Sequence, residues 1–111
     1  LYPTLSSLCG LSVPSRLQGK DISAMLDDPQ ASVREAAFVI NGKGFLLRGD
    51  RFAFIQYGED GAGGYELFDM QTDPKQLHNL AGDADLAKVL AEFKTKMTDK
   101  LLAVRDNDLE N

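Results

Sequence analysis

The protein has 111 residues, 12 Lys+Arg against 17 Asp+Glu, a formal net charge of −5, one cysteine, one histidine and no tryptophan. Hydrophobic residues make up 43% and charged residues 26%, enough apolar material for one small core and too much for a disordered chain. The acidic balance without a dense Lys/Arg run argues against a nucleic-acid partner; no apolar run reaches the roughly 20 residues of a membrane span; and lone Cys9 and His78 cannot build a disulfide, a zinc cluster or a histidine cluster.

Residues 1–11 read as a short helix. Pro3 suits its first turn, Leu5, Leu8 and Cys9 share a face that makes Cys9 a small core residue, and Gly10 can end it in a left-handed conformation. The chain starts at Leu1-Tyr2-Pro3-Thr4 inside that pattern, without methionine or the basic region of a signal peptide, as expected of a piece of something longer. Residues 12–20 hold Pro14 and Gly19 and form a connector, Asp21 is placed to cap a brief helix over 22–26, and Asp27-Asp28-Pro29 ends it.

The period then changes. Residues 37–40, 45–47, 52–57 and 65–70 are aromatic or β-branched runs separated by Asn41-Gly42-Lys43-Gly44, Arg48-Gly49-Asp50-Arg51 and the glycine-rich stretch 58–64. Four antiparallel strands in meander order follow. Phe52, Phe54 and Gln56 alternate with Ala53, Ile55 and Tyr57, so neither face of the third strand is purely polar and both are expected to be partly covered. The cover is the final segment, where Leu86, Val89, Leu90, Phe93, Met97, Leu101 and Val104 recur at three- and four-residue steps. Asp83 or Asp85 can cap this helix, Lys94, Lys96, Lys100 and Arg105 suit the dipole of its later turns, and residues 106–111 are expected to fray. The fold class is α+β: a four-stranded antiparallel sheet with a long C-terminal helix packed on it, plus short N-terminal helices.

Single motifs carry little chemistry. Arg48-Gly49-Asp50 spells an integrin-read tripeptide, but a tight turn in which glycine takes positive φ explains it as well. Glu59, Asp60, Glu66, Asp69 and Asp73 lack the spacing of an EF-hand loop and read as solvated turn charges. His78, between Leu77 and Asn79, reads as a loop residue making one hydrogen bond. Asp73-Pro74 begins a turn, and Asn79 can satisfy backbone groups ahead of the helix.

The ordered series says more. Leu1-Tyr2-Pro3-Thr4-Leu5, Leu8-Cys9-Gly10-Leu11, Val13-Pro14, Leu17-Gln18-Gly19-Lys20, the paired strands around Arg48-Gly49-Asp50-Arg51, Glu66-Leu67-Phe68-Asp69, Thr72-Asp73-Pro74 and His78-Asn79-Leu80-Ala81 occur in one order across the chain. That order resembles the C-terminal region of sulfatases of the alkaline-phosphatase-like superfamily, and most closely the iduronate-2-sulfatase-type branch. Ser12-Val13-Pro14-Ser15-Arg16 also matches the Cys/Ser-x-Pro-x-Arg element that sulfatases convert to formylglycine. The element's usual Thr-Gly continuation is missing, and the segment aligns with a C-terminal feature, so this likeness is a coincidence of composition.

The resemblance implies that residues 1–35 close a catalytic domain lying upstream and that 36–111 form the C-terminal subdomain. It also implies a full-length sulfuric-ester hydrolase using calcium and formylglycine on a sulfated carbohydrate, in an exported or lysosomal setting, with no catalytic or metal-binding residue in the 111 residues themselves. Arg48, Asp50, Arg51 and Tyr57 are the candidates for lining the substrate cleft, since arginine reads carboxylate or sulfate through two parallel hydrogen bonds. Ion pairs within the sheet are the competing role for these residues. Two rival functions stand beside this one: a stand-alone carbohydrate- or protein-binding module, and a phosphoester hydrolase of the same superfamily.

Overall fold

A computed structural model describes residues 1–106. The elements run α1 (Tyr2–Leu8), α2 (Ala24–Asp27), β1 (Ala37–Asn41), β2 (Gly44–Arg48), β3 (Phe52–Tyr57), β4 (Tyr65–Asp69), a 3-10 turn (Ala84–Leu86) and α3 (Ala87–Arg105). This is the expected α+β arrangement. Of the tail expected to fray, Asp106 follows α3 as exposed coil and residues 107–111 lie outside the described residues. Two compact units are present, Ala36–Ala103 and a second comprising Leu1–Glu35 with the described chain from Val104 on.

In the larger unit the strands pair antiparallel in the order β1-β2-β3-β4. Register places Leu47 opposite Phe54 and Phe54 opposite Leu67, one apolar row across three strands. Period-two alternation puts Phe45, Leu47, Phe52, Phe54, Tyr65 and Leu67 on one face, and α3 covers that face. Met97 and Leu101 are buried among Phe45, Leu47, Phe54 and Leu67, with Val89, Leu90 and Phe93 packed around them. Phe93 stacks on Phe54 at 5.8 Å between ring centroids and meets Phe52 edge-on at 6.5 Å. Phe54, Leu67 and Met97 are fully enclosed, each contributing about 1.5–3 kcal/mol of apolar burial. Lys94 lies over the Tyr65 ring at 3.8 Å and Lys100 over the Phe38 ring at 5.7 Å, so cations fasten α3 along the β4 and β1 margins.

α3 starts where Asp83 accepts a hydrogen bond from the Asp85 N–H at 2.9 Å, the first of the two expected caps. The chain between β4 and this cap runs along the free edge of β4. Asn79 imitates a strand there: its side-chain oxygen accepts from the Leu67 N–H (3.0 Å) and the Ala81 N–H (2.9 Å), while its amide donates to the Tyr65 carbonyl (3.2 Å). The Leu80 N–H then donates to the Leu67 carbonyl at 2.8 Å. An edge strand left bare offers unpaired backbone groups to other chains, and this loop removes that exposure. Asp73 holds the loop's start by accepting from the N–H groups of Leu77 (2.7 Å) and His78 (2.8 Å).

The smaller unit is organised differently. Gly10 takes φ +68° as the helix signal required, and the Leu11 N–H closes α1 on the Ser6 carbonyl at 2.8 Å. The Thr4 hydroxyl accepts from the Ile22 N–H at 3.2 Å, and Gly19 lies against Pro3, which together lay the connector along α1. Asp21 does not cap α2 directly; it accepts from the Ser23 N–H at 2.8 Å, and Ser23, which precedes α2 at the N-cap position, makes no side-chain cap. Burial in α1 is inverted: Pro3 and Ser6 are buried, while Leu1, Leu5 and Leu8 are exposed. Cys9 is exposed with that stripe, against its expected place in a core.

Met97→Ala is expected to cost about 2–5 kcal/mol in urea unfolding followed by circular dichroism, because it empties an enclosed site between helix and sheet. Leu102→Ala, at an exposed position of the same helix, should stay within about 0.5 kcal/mol. Asn79→Ala should speed hydrogen exchange at the Leu67 amide relative to the Phe54 amide of the sheet interior, since its acceptor is lost.

Candidate functional site

The β2–β3 turn brings together three of the four residues singled out from the sequence. Arg48 ends β2, Asp50 and Arg51 form the turn, and the Gly49 N–H donates to the Phe52 carbonyl at 2.9 Å to close it. Both arginines are occupied. The Arg48 guanidinium folds back onto its own turn, donating to the Gly49 carbonyl and, at 3.1 Å, to the Asp50 carbonyl. Arg51 grips Asp69 at the end of β4 through two hydrogen bonds to one carboxylate oxygen, Nε at 3.0 Å and a terminal nitrogen at 2.7 Å. Its guanidinium also lies 4.9 Å above the Phe52 ring, and the Met70 N–H donates to the Arg51 carbonyl at 2.8 Å. The turn is thereby clasped to the end of β4 by backbone and side chain together.

Asp69 is the residue whose role the sequence concealed. Among solvated turn charges it was one of five; in the fold it is buried. Its second oxygen accepts from the Gln71 N–H at 3.0 Å, and its own carbonyl accepts from the Asp73 N–H at 2.7 Å. The signal that could have found it is period two: Asp69 follows Tyr65 and Leu67 on the helix-facing side of β4. Hydrogen bonding from Arg51, with the Gln71 N–H and the Arg51 charge adding to it against the cost of desolvation, lowers its carboxyl to about 2. The Arg51 guanidinium is held above its ordinary value by the same partner.

Tyr57 lies elsewhere. It ends β3, six residues from Arg51, which at ~3.3 Å per residue puts it about 20 Å away. Its hydroxyl is 3.3 Å from a Glu66 oxygen, and that negative charge pushes the phenol up from its ordinary value. Here the β3–β4 loop is built tightly: Gln56, buried, donates to the carbonyls of Gly58 (3.1 Å) and Glu59 (2.8 Å), and Asp60 accepts from the Ala62 N–H at 3.0 Å. Gly61 has φ +73°, and a Cβ there would run into the Tyr65 hydroxyl, so glycine is required. Tyr57 also borders a shallow groove on the sheet face opposite α3, lined by Val39, Asn41, Gly44, Leu46 and Ile55.

The remaining candidates play local parts. His78 is exposed, with its imidazole 3.6 Å from Asp73 and its N–H bonded to the same carboxylate. Ser12 to Arg16 lie in irregular chain after α1, with Ser12, Ser15 and Arg16 exposed. Among the described residues no three His, Cys, Asp or Glu side chains converge as metal ligands, no helix is long and apolar enough to cross a membrane, and every buried side-chain polar atom has a partner.

Comparison with known proteins places this geometry. Residues 1–103 match the family model described as N-sulphoglucosamine sulphohydrolase, C-terminal. The chain is 29% identical over 116 aligned positions to a Delta 4,5-hexuronate-2-O-sulfatase of Bacteroides thetaiotaomicron, covering 96% of the chain and 24% of that protein. A solved protein in complex with its substrate D-glucosamine-2-N,6-O-disulfate superposes with a TM-score of 0.78 at 25% identity, over 96% of the chain and 24% of its own. The phosphonate monoester hydrolase of Agrobacterium radiobacter superposes with a TM-score of 0.67 at 27% identity, over 94% of the chain and 23% of its own. The chain therefore spans about a quarter of the length of the relatives it matches.

Folding lowers the Asp69 carboxyl from an ordinary value near ~4 to about 2. The ionised clasp thus stabilises the fold fully above about pH 4, and its contribution is lost as pH falls through about 2. Asp69→Asn should unfold at lower urea than the parent at neutral pH and lose less on acidification from about pH 4 to about pH 2; equal acid losses in both proteins would assign the sensitivity to other carboxylates.

Proposed function

Because the chain belongs to the N-sulphoglucosamine sulphohydrolase C-terminal family, we propose that it is the C-terminal part of a sulfuric-ester hydrolase acting on sulfated carbohydrate. The observation that carries this reading is the match over residues 1–103 to a C-terminal family model, combined with a span of about a quarter of the relatives' length. The inverted burial of α1 supports it physically. Leu1, Leu5, Leu8 and Leu11 are each more than half exposed, and a leucine stripe facing water while serine and proline are buried marks a surface made for a neighbour. In this reading residues 1–35 close the catalytic domain and 36–111 form the C-terminal subdomain, which borders the substrate entrance.

The β2–β3 turn is then the part that faces substrate. Arg51 serves it as a clasp through Asp69, Arg48 stiffens it by bonding its carbonyls, and Asp50 is its outward carboxylate. Tyr57, at the far end of β3, stands apart from this turn. The residues described here do not make a calcium site, and no step of hydrolysis is assigned to them; calcium and formylglycine belong, in this proposal, to the upstream part of the polypeptide. The iduronate-2-sulfatase-type assignment is supported by motif order and by the relative named for a hexuronate 2-O-sulfate. A second reading, hydrolysis of a phosphonate or phosphate ester, is favoured by the superposition on the phosphonate monoester hydrolase.

The test is ester turnover by the full-length protein and by the 111-residue chain, using hexuronate 2-O-sulfate, glucosamine-2-N,6-O-disulfate and a phosphonate monoester. Sulfate release by the full-length protein alone is expected. Turnover by the 111-residue chain would sink the proposal, and phosphonate cleavage without sulfate release would replace it with the second reading.

A further inference from the structure

The two edges of the sheet are finished differently. Beside β4 the backbone is sealed by Asn79 and Leu80, whereas β1, at the other end of the strand order, is paired on one side only. The ladder assigns its outward groups. Backbone bonding alternates along an antiparallel strand, and the bond from the Gly49 N–H to the Phe52 carbonyl shows Phe52 bonding toward β2. Carried through the register, that phase has Phe45 and Leu47 bond to β3, and Gly44, Leu46 and Arg48 bond to Asn41, Val39 and Ala37. Phe38 and Ile40 therefore point their N–H and C=O groups away from the sheet, and among the described residues nothing bonds to them. Open edges are normally guarded by a charge, a proline or a bulge. Residues 36–42 contain no charged residue and no proline, and the register with β2 runs unbroken from Ala37 to Asn41. The side chains are open as well: Ile40, on the helix-facing side with Phe38, is 52% exposed, and Val39, on the opposite side, 49%. A cover laid on one face of the sheet cannot bury both, so the exposure belongs to the edge.

We infer that β1 pairs with β1 of a second copy of this chain, antiparallel about a two-fold axis at Val39, joining two sheets edge to edge. In that register Phe38 exchanges both backbone hydrogen bonds with the partner's Ile40, and Ile40 does the same with the partner's Phe38. Val39 faces the partner's Val39, and Ala37 the partner's Asn41. Three considerations select a second copy. The edge is self-complementary, as a two-fold contact requires: its outward-facing residues meet each other, and the whole strand overlaps. The aromatic and β-branched side chains of Phe38 and the partner's Ile40 form a favourable cross-strand pair, which covers Ile40 where α3 leaves it open. Charge is complementary too. Glu35 lies two residues before β1 and Lys43 two residues after it, so the antiparallel register sets Glu35 opposite the partner's Lys43 at both ends, while Arg34 falls opposite the partner's uncharged Gly44. A parallel pairing would set like charge on like. One strand pair falls short of the ~1,000 Å² of a permanent interface, so the dimer is reversible and concentration-dependent. The inference concerns assembly and does not rest on the activity proposed above.

The experiment is sedimentation velocity of the full-length protein over a range of concentrations, with Ile40→Lys and Ile40→Pro as edge variants. Lysine guards open edges, and proline at position 40 removes an N–H that β2 does not use; melting curves check that each variant is folded. The parent is expected to dimerise reversibly, and either variant to need at least about tenfold more protein for the same dimer fraction. A second measurement reads the two-fold axis directly. In a Cys9→Ser background, Val39→Cys is expected to form a disulfide between two identical peptides on mild oxidation, since a non-hydrogen-bonded antiparallel pair brings its Cβ atoms to about 4.5–5.5 Å. Leu77→Cys, exposed in the loop before α3, is expected not to link to itself. A parent that stays monomeric throughout overturns the inference. So does a dimer that Ile40→Lys leaves unchanged and in which the Val39→Cys peptide fails to link to itself. Ester turnover is assayed separately, so failure of the proposed activity and failure of this contact are read independently.

Discussion

A four-stranded sheet presents two faces, and α3 covers only one of them. Phe54, Leu67 and Met97 are enclosed because a nineteen-residue helix lies across the row Leu47–Phe54–Leu67, and the other features of the larger unit serve that contact. Asp83 starts the helix, Lys94 and Lys100 tie down its flanks over aromatic rings, and Asn79 seals the strand edge along which the chain approaches it. Stability in a domain this size is a small difference between burial and chain entropy, so a single well-filled layer between helix and sheet accounts for why this unit stands as a fold.

The same constraint explains what the chain leaves open. One helix cannot shield the far side of the sheet, and α1 turns its leucines outward instead of inward. Exposed apolar side chains such as Val39 on that face and Leu5 and Leu8 on α1 are costly in a protein that works alone and ordinary in one that forms part of a larger body. Family membership agrees with that physical reading, since the region it names is the terminal portion of proteins about four times as long.

Charge is used locally. The Arg51–Asp69 pair joins the β2–β3 turn to the end of β4 at a point where the carboxylate is buried and its partner half exposed. Two hydrogen bonds from one guanidinium fix orientation as well as distance, which a lysine at that position could not do. Both arginines of the turn thus commit part of their guanidinium donors to the protein, Arg48 through one terminal nitrogen and Arg51 through Nε and one terminal nitrogen. The turn's recognition chemistry is narrower than a count of its charges suggests, and Asp50 is what it turns outward.

Much of this was legible from residue order. The 2.0-residue period of 52–57 and the three- and four-residue steps from Leu86 to Val104 dictate a strand and a helix whatever surrounds them, and Gly10 declares its left-handed stop because no other residue adopts that conformation as freely. Motif order carried the family. Asp69 was not legible: a carboxylate near a turn is normally solvated, and only the antiparallel register brings Arg51 to it across eighteen residues of chain. Cys9 was misplaced for the related reason that an apolar stripe reveals that it will be covered without saying by what. Nor could spacing reveal that Tyr57 and Arg51 are separated by the length of a strand while Tyr57 and Glu66 meet. By itself, then, the sequence determined the elements, their order and the family, which depend on neighbours a few residues apart, while element ends shifted by one to three residues. Tertiary structure alone decided which charges are spent on the fold and which apolar faces stay open, because those depend on groups that meet only when the chain has closed.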